Sequence, residues 1–169
     1  MNKILPPFLH PVREKAPAVN YHECSFLHEA NLGSAHSLWW PNGPSESSLV
    51  ILLFIPGELR ALRKMKNARS SSGCAGNPGL LHFYTPFLDS IHQKAQISQK
   101  ALAIFAHSHL GHAPDFPAHP NGAGLQSQVA SAIEAFDAAK AYGSDTKVVL
   151  VGHSVGAWIC TQVKISPND

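Results

Sequence analysis

The sequence has little charge and few cysteines. Charged residues make up 14% of its 169 residues and the net charge is +2, so nothing in the charge balance indicates nucleic-acid binding. Its three cysteines, Cys24, Cys74 and Cys160, form no C-x-x-C pair and are odd in number. A disulfide framework is therefore not expected, and a reducing compartment fits best.

Long apolar runs are also missing. The longest run, residues 49–55, has seven residues, whereas a membrane-spanning helix needs about 20. The first ten residues are too short and too interrupted by proline for a secretory signal. These absences predict a chain that is not secreted and that is at most peripheral to a membrane. The 44% apolar content nevertheless suits a domain with a real core.

Short apolar strands alternate with helical patterns along the chain. This order predicts an α/β fold with a mostly parallel sheet and helices on both faces. Residues 19–27 form a weaker candidate for an edge strand. Residues 1–18, which are rich in proline, are expected to be a flexible arm, and residues 19–169 the domain. The predicted strands are 49–55, 101–106 and 147–151, and the predicted helices are 84–94, 125–142 and 155–165.

The third predicted strand leads directly into Gly152-His153-Ser154-Val155-Gly156. This G-x-S-x-G pattern between a strand and a helix is typical of a nucleophile elbow. The serine must sit on a tight, strained turn, where Gly152 and Gly156 prevent clashes. We therefore predict Ser154 as a catalytic nucleophile. The N–H of Val155, at the start of the next helix, is the predicted donor to an oxyanion.

A histidine-rich segment offers a different chemistry. His107, His109 and His112 follow an apolar strand, and three neighbouring imidazoles can bind zinc. In metallo-β-lactamase-type hydrolases the corresponding pattern carries an aspartate where this chain has Gly111. A zinc-dependent hydrolase is therefore an alternative. The preferred reading of the segment is a loop above the sheet, with no metal or organic cofactor.

Three stretches resemble the lipid droplet-associated serine hydrolase family, a branch of the α/β-hydrolases. The resemblance covers most of residues 49–165 and implies a serine esterase or lipase acting on lipid esters at lipid droplets or the endoplasmic reticulum surface. It also implies a role in lipid storage. The stretches are residues 53–57 with 77–79 and 82–87, residues 108–112 with 124–129, and residues 149–157.

The chain departs from this family at one loop. The family's Pro-Gly-Asn-Pro-Gly is continuous, whereas residues 58–76 separate Gly57 from Asn77 here. By resemblance, the backbone N–H of Asn77 is the second oxyanion donor. The intervening segment is basic and then rich in serine, and is interpreted either as a surface loop or as translated intron sequence. As a genuine insertion it would displace Asn77 from Ser154.

The remaining catalytic groups are also missing. In α/β-hydrolases the acid and then the histidine follow the serine along the chain, yet residues 155–169 contain no histidine. We therefore expect a partial, truncated hydrolase domain with weak activity. A further alternative is a non-catalytic fragment that binds lipid surfaces or partner proteins. The aromatic pair Trp39-Trp40 is expected to be buried rather than membrane-facing, and Tyr84 and Phe87 are expected in the core face of a helix.

Overall fold

A computed structural model describes residues 5–14, 18–29, 31–43, 48–57, 81–113, 115–117, 120 and 124–163. Within these ranges one sheet of six strands is flanked by three α-helices. The predicted insertion, residues 58–76, and Asn77 lie outside the described residues. The strands are β1 (Leu9–Pro11), β2 (His22–Leu27), β3 (Ser34–Trp40), β4 (Val50–Ile55), β5 (Leu102–His107) and β6 (Lys147–Gly152). A short 3-10 helix (Leu81–Tyr84) precedes α1 (Thr85–Ile97), and α2 (Leu125–Lys140) and α3 (Val155–Gln162) follow.

The sheet is mixed, so the prediction of a mostly parallel sheet was wrong. The strand order is β1-β2-β3-β5-β4-β6. Among the described strands, the pairs β5–β4 and β4–β6 are parallel, and the other three pairs are antiparallel. Residues 28–33 join β2 to β3, and Asn31 and Gly33 adopt positive φ there. A connection this short permits only an antiparallel pair, because a parallel crossover needs about a dozen residues or more.

The sequence pattern also misplaced the strands near the N-terminus. Strand β2 was expected at an edge, but it lies between β1 and β3. The predicted N-terminal arm contains β1, and Leu9 of that strand is buried in the core. Strand β3 was not predicted, because both of its faces are covered and it shows no alternation of apolar and polar residues. Trp39 and Trp40 of this strand are buried, as expected.

Two apolar layers cover the two faces of the sheet. Along β4, Ile51 and Leu53 point towards α2 and α3, whereas Leu52 and Phe54 point towards α1. This alternation follows from the two-residue period of a strand. Helix α2 contributes the buried residues Ala132, Ala135, Phe136 and Ala139, spaced at three and four along one face. None of the helices in the described ranges has the length and apolarity needed to cross a bilayer.

Parallel strands β4, β5 and β6 direct their carboxyl ends to the same edge of the sheet. Ligands of α/β proteins bind beyond the carboxyl ends of such strands. The segments that follow these three strands start at Pro56, Ser108 and His153. They carry the residues that the sequence singled out.

Candidate active site

Ser154 occupies a strained turn between β6 and α3. Its φ is 53° and its ψ is −122°, a conformation that costs a non-glycine residue about 1–3 kcal/mol. Among the described non-glycine residues, only Asn31 and Gln99 also have positive φ. The serine side chain is exposed. This geometry is what a nucleophile elbow requires, because it lifts the hydroxyl above the end of the sheet.

The two glycines of the motif allow this turn to pack closely. A methyl group at Gly152 would overlap the backbone of Gly156 and Ala157. A methyl group at Gly156 would overlap the carbonyl oxygens of Ile55 and Pro56, at the end of β4. Since both overlaps are with backbone atoms, no rotation of a side chain relieves them. The G-x-S-x-G spacing therefore follows from the close contacts that the start of α3 makes with the end of β6 and with the end of β4.

Gly57 brings the end of β4 against the elbow. A Cβ atom on Gly57 would lie 3.0 Å from Cβ of Ser154 and would also crowd His153. The backbone N–H of His153 donates to the carbonyl of Ile55 at 3.1 Å. Gly57 and Ser154 are thus neighbours, although 97 positions separate them in the chain. The residues that follow Gly57, up to residue 80, lie outside the described ranges.

Tyr84 contacts the elbow, which the sequence analysis missed. Its hydroxyl accepts the N–H of Gly57 at 3.1 Å and lies 3.1 Å from Nδ1 of His153. Tyr84 is half-buried and packs against the core layer, as expected. Phe87 was expected there too, but it is 53% exposed. The available signal was the position of Tyr84 inside one of the stretches that resemble the hydrolase family.

His109 supports the loop that carries Gly57. Its Nε2–H donates to the carbonyl of Pro56 at 2.9 Å, and its side chain is buried. Burial and then the neighbouring His112 lower the pKa of His109 to about 4. The imidazole is therefore neutral near pH 7 and acts as a hydrogen-bond donor that holds the backbone before Gly57.

Gln128 anchors the next loop. Its Oε1 accepts the N–H of Leu110 at 2.8 Å, and its Nε2 donates to the carbonyl of the same residue at 3.4 Å. The loop after β5 is thereby attached to the first turns of α2. This contact explains why a glutamine occupies this position in the stretch 124–129 that resembles the family.

The three loop histidines do not converge as metal ligands. His107 is buried between two serine hydroxyls, 3.4 Å from Ser37 and 2.8 Å from Ser131. Burial, followed by the charges of His28 and His109, holds its pKa well below the usual value. His109 donates to the carbonyl of Pro56. The rings of His107 and His109 are therefore both engaged in hydrogen bonds within the fold. In the described residues, the histidines and acids close enough to hold an ion are Glu23, His36 and His82.

The position of Val155 is the first of α3, where backbone N–H groups point outward from the helix start. No described side chain hydrogen-bonds to Oγ of Ser154.

A cavity of about 490 Å³ lies elsewhere, at the amino ends of the parallel strands, and is lined by Val50, Leu102 and Lys147. We place the candidate site at the carboxyl ends because the elbow lies there.

Two solved structures of a novel cold-adapted esterase from an Arctic intertidal metagenomic library are similar to the chain. The PEG-bound complex has a TM-score of 0.50 and is 13% identical in sequence. The matched region covers 92% of this chain and 60% of the esterase chain. The native structure has a TM-score of 0.46 and is 12% identical in sequence. The matched region covers 88% of this chain and 55% of the esterase chain. This chain therefore spans somewhat over half of the length of those esterase chains, and at such low identity the likeness shows an α/β fold alone.

A family model identifies the chain more closely. The model of the lipid-droplet associated hydrolases matches residues 73–166. The match contains α1, β5, α2, β6 and α3, and with them Tyr84, His109, Gln128 and the elbow. It covers more than half of the sequence, and we conclude that this chain belongs to the lipid-droplet associated hydrolase family.

Proposed function

We propose that the chain is a serine esterase or lipase-type hydrolase, with Ser154 as the nucleophile. The observation that carries this proposal is the strained backbone of Ser154 at the junction of β6 and α3. Strain of this kind persists only where the surrounding structure enforces it, and it is common at catalytic groups. Membership in a hydrolase family supports the same reaction class.

In the proposed reaction, Oγ of Ser154 attacks the carbonyl carbon of an ester. The N–H of Val155 stabilises the negative charge on the carbonyl oxygen, and the start of α3 adds its dipole. By family resemblance the N–H of Asn77 is the second donor. A general base must take the serine proton, and the described residues place no histidine or carboxylate against Oγ. The 169-residue chain tested by itself is therefore expected to turn over slowly.

Lipid esters are the proposed substrates, and the surface of a lipid droplet or of the endoplasmic reticulum the proposed place of action. The family name supports this assignment. Two exposed aromatic side chains close to Tyr84 in the sequence also support it: Phe83 is 75% exposed and Phe87 is 53% exposed. They flank Tyr84, whose ring lies 5.9 Å from that of His153. An exposed apolar pair beside Tyr84 would offer a contact surface to an acyl chain or to a lipid surface.

Active-site labelling tests the nucleophile. A fluorophosphonate probe should form an adduct that peptide mass spectrometry assigns to Ser154, and Ser154→Ala should abolish it. Ser90→Ala, at an exposed position of α1, is the control and should label like the original chain. A chain that is folded by circular dichroism and yet acquires no adduct at Ser154, even after prolonged exposure to excess probe, would contradict the proposal.

Flotation with artificial lipid droplets tests the proposed location. Replacing Phe83 and Phe87 together with serine should reduce the bound fraction and leave the rate of Ser154 labelling in solution unchanged. Ile97→Ser is the control, because Ile97 is 83% exposed but lies at the far end of α1. An equal loss in both variants would show that binding does not depend on the aromatic pair. Droplet binding without labelling would instead favour the non-catalytic lipid-binding alternative.

A further inference from the structure

A group of possible metal ligands lies outside the elbow that carries Ser154. It consists of Glu23 on β2, His36 on β3 and His82 in the 3-10 helix before α1. One possible ligand atom from each of the three side chains lies within 4.8 Å of the other two. The three positions are distant in sequence, and the fold brings them together.

The pairing of β2 with β3 explains part of this arrangement. Glu23 is opposite Leu38, and His36 is opposite Ser25, so Glu23 and His36 are diagonal neighbours on one face of the sheet. The 3-10 helix lies over the same face, where Leu81 is buried against it. The ring of His82 stacks on that of His36, with centroids 5.4 Å apart and planes at 29°.

The donor atoms are arranged as metal ligands require. Nε2 of His36 lies 3.0 Å from Oε1 of Glu23. In a tetrahedral zinc site, bonds of about 2.0–2.2 Å place neighbouring ligand atoms about 3.3 Å apart. A metal ion can thus replace the proton between these two atoms with little movement.

One ring nitrogen of His36 is available to bind a ligand or a proton. His36 is 2% exposed, and its Nδ1 has no hydrogen-bond partner among the residues that the structure describes. That nitrogen is therefore open, either to take the ring proton when Nε2 binds an ion or to bind the ion itself. Leaving a buried nitrogen unpaired costs about 1–3 kcal/mol, so a purely structural histidine here would be poorly accommodated.

Aromatic rings partly enclose the three side chains, and one side of the group is open to solvent. The ring of Phe116 lies 5.4 Å from that of His36, and the ring of Tyr21 lies 6.2 Å from that of His82. His82 itself is exposed, which leaves a route from solvent. The cation of Arg13 lies near enough to influence His36, but Asp115 pairs with it at 3.1 Å. The carboxylate of Glu23 therefore remains available to offset the charge of an ion.

We propose that Glu23, His36 and His82 bind a divalent transition-metal ion, with zinc the best match. Two imidazoles and one carboxylate are a ligand set that zinc accepts, and water would complete the tetrahedron. The ion would attach the 3-10 helix to the β2–β3 pair. Tyr84 ends that helix, so the ion would also hold the hydroxyl that contacts Gly57 and His153.

Zinc titration of the full 169-residue chain, stripped of metal by a chelator, tests the proposal. Calorimetry should show one zinc per chain, and cobalt should produce the visible absorption bands of a tetrahedral site. Glu23→Gln and His82→Ala should each weaken zinc binding at least tenfold. Both substitutions fall on side chains that are at least partly solvent-accessible, and circular dichroism of the metal-free variants confirms that they fold.

His112→Ala is the matched control, because it removes a histidine of the loop after β5, outside the proposed site. It should leave zinc affinity unchanged. The proposal is overturned if the original chain binds no zinc, if both site variants bind it as tightly as the original chain, or if His112→Ala is the variant that loses it.

Discussion

The hydroxyl of Tyr84 lies 3.1 Å from Nδ1 of His153, the residue before Ser154. The same hydroxyl accepts the N–H of Gly57 at the end of β4. One phenol therefore connects the 3-10 helix, the loop after β4 and the elbow. This contact makes Tyr84 a positioning residue for the proposed site.

Replacing Tyr84 with phenylalanine should loosen this junction. The ring would still pack on Phe54, with centroids now 4.8 Å apart, while the Gly57 N–H and His153 would lose their partner. We expect a loss of about 1 kcal/mol in the free energy of unfolding, measured by urea denaturation. The rate of fluorophosphonate labelling at Ser154 should change as well.

Tyr142→Phe is the matched control for that substitution. Its ring packs in the core layer of α2 and α3, away from the elbow. The rate of Ser154 labelling should stay the same in this variant. Equal changes in labelling for the two tyrosine variants would refute a positioning role for Tyr84.

The elbow should not tolerate a methyl group at Gly156. Gly156→Ala forces a Cβ atom onto the carbonyl oxygens of Ile55 and Pro56, and overpacking of this kind costs about 1–3 kcal/mol. Thermal unfolding should show the loss, and Ser154 labelling should fall. Gly124→Ala is the control, because among the described residues nothing besides its chain neighbours lies within 4 Å of its added Cβ. At this N-cap position of α2 the loss should stay below about 1 kcal/mol. Similar melting temperatures for the two variants would argue against the close packing described here.

Gln128 should be needed for the loop after β5. Gln128→Leu keeps the approximate volume but leaves the N–H and the carbonyl of Leu110 without their side-chain partner. An unpaired buried backbone group costs about 1–3 kcal/mol, which chemical denaturation would reveal. Gln126→Leu, two residues earlier and exposed, should have a small effect. The explanation fails if the two variants are equally stable.

Stability should decrease in mild acid because of buried histidines. The pKa of His109 falls from 6.5 to about 4 on folding, so the unfolded chain takes up the proton first as the pH drops. Stability is lost between about pH 6.5 and pH 4 and levels off below that window. For His109 the full contribution is about 3 kcal/mol, and the lowered pKa values of His28, His107 and His112 act in the same direction.

His109→Gln tests this pH dependence. The amide can still donate to the carbonyl of Pro56, yet it does not titrate. The free energy of unfolding, measured from pH 7 to pH 4, should therefore fall less steeply in this variant. His10→Gln, at an exposed position of β1, serves as the control. A profile for His109→Gln that matches the original chain would remove His109 from the explanation.

Strand β6 should promote self-association. It ends the sheet, with no strand beyond it in the described part of the chain, and Val149 on it is 48% exposed. Such an edge can pair with another chain. Val149→Lys should shift sedimentation profiles towards monomer, whereas Leu27→Lys, at a 62% exposed position of β2, should not. A purely monomeric original chain would contradict this prediction.

Local patterns were sufficient for the parallel half of the fold. Both ends of strands β4, β5 and β6 lie within one residue of the predicted ends. Such strands can be recognised from neighbouring residues, because each is a short apolar run, rich in β-branched residues, with turn residues on either side. Helix α2 begins at the predicted Leu125. The strained turn at Ser154 was expected for the same reason, since Gly152 and Gly156 stand beside it in the chain. Its catalytic role stays a prediction.

Contacts between distant segments determined the parts of the fold and of the site that local patterns did not predict. Strand β3 contains His36 and Ser37, whose polarity gives no strand signal until Glu23 and His107 satisfy them from neighbouring strands. Tyr84 meets His153 only because the 3-10 helix folds back over the end of β4.

The sequence by itself determined the alternation of strands and helices, the glycine-flanked serine and the family, because each of these depends on neighbouring residues. The tertiary structure alone decided the mixed order of the sheet, the contact of Tyr84 with the elbow and the cluster of Glu23, His36 and His82. Those features arise from backbone pairing and packing between segments tens of residues apart, which no local pattern records.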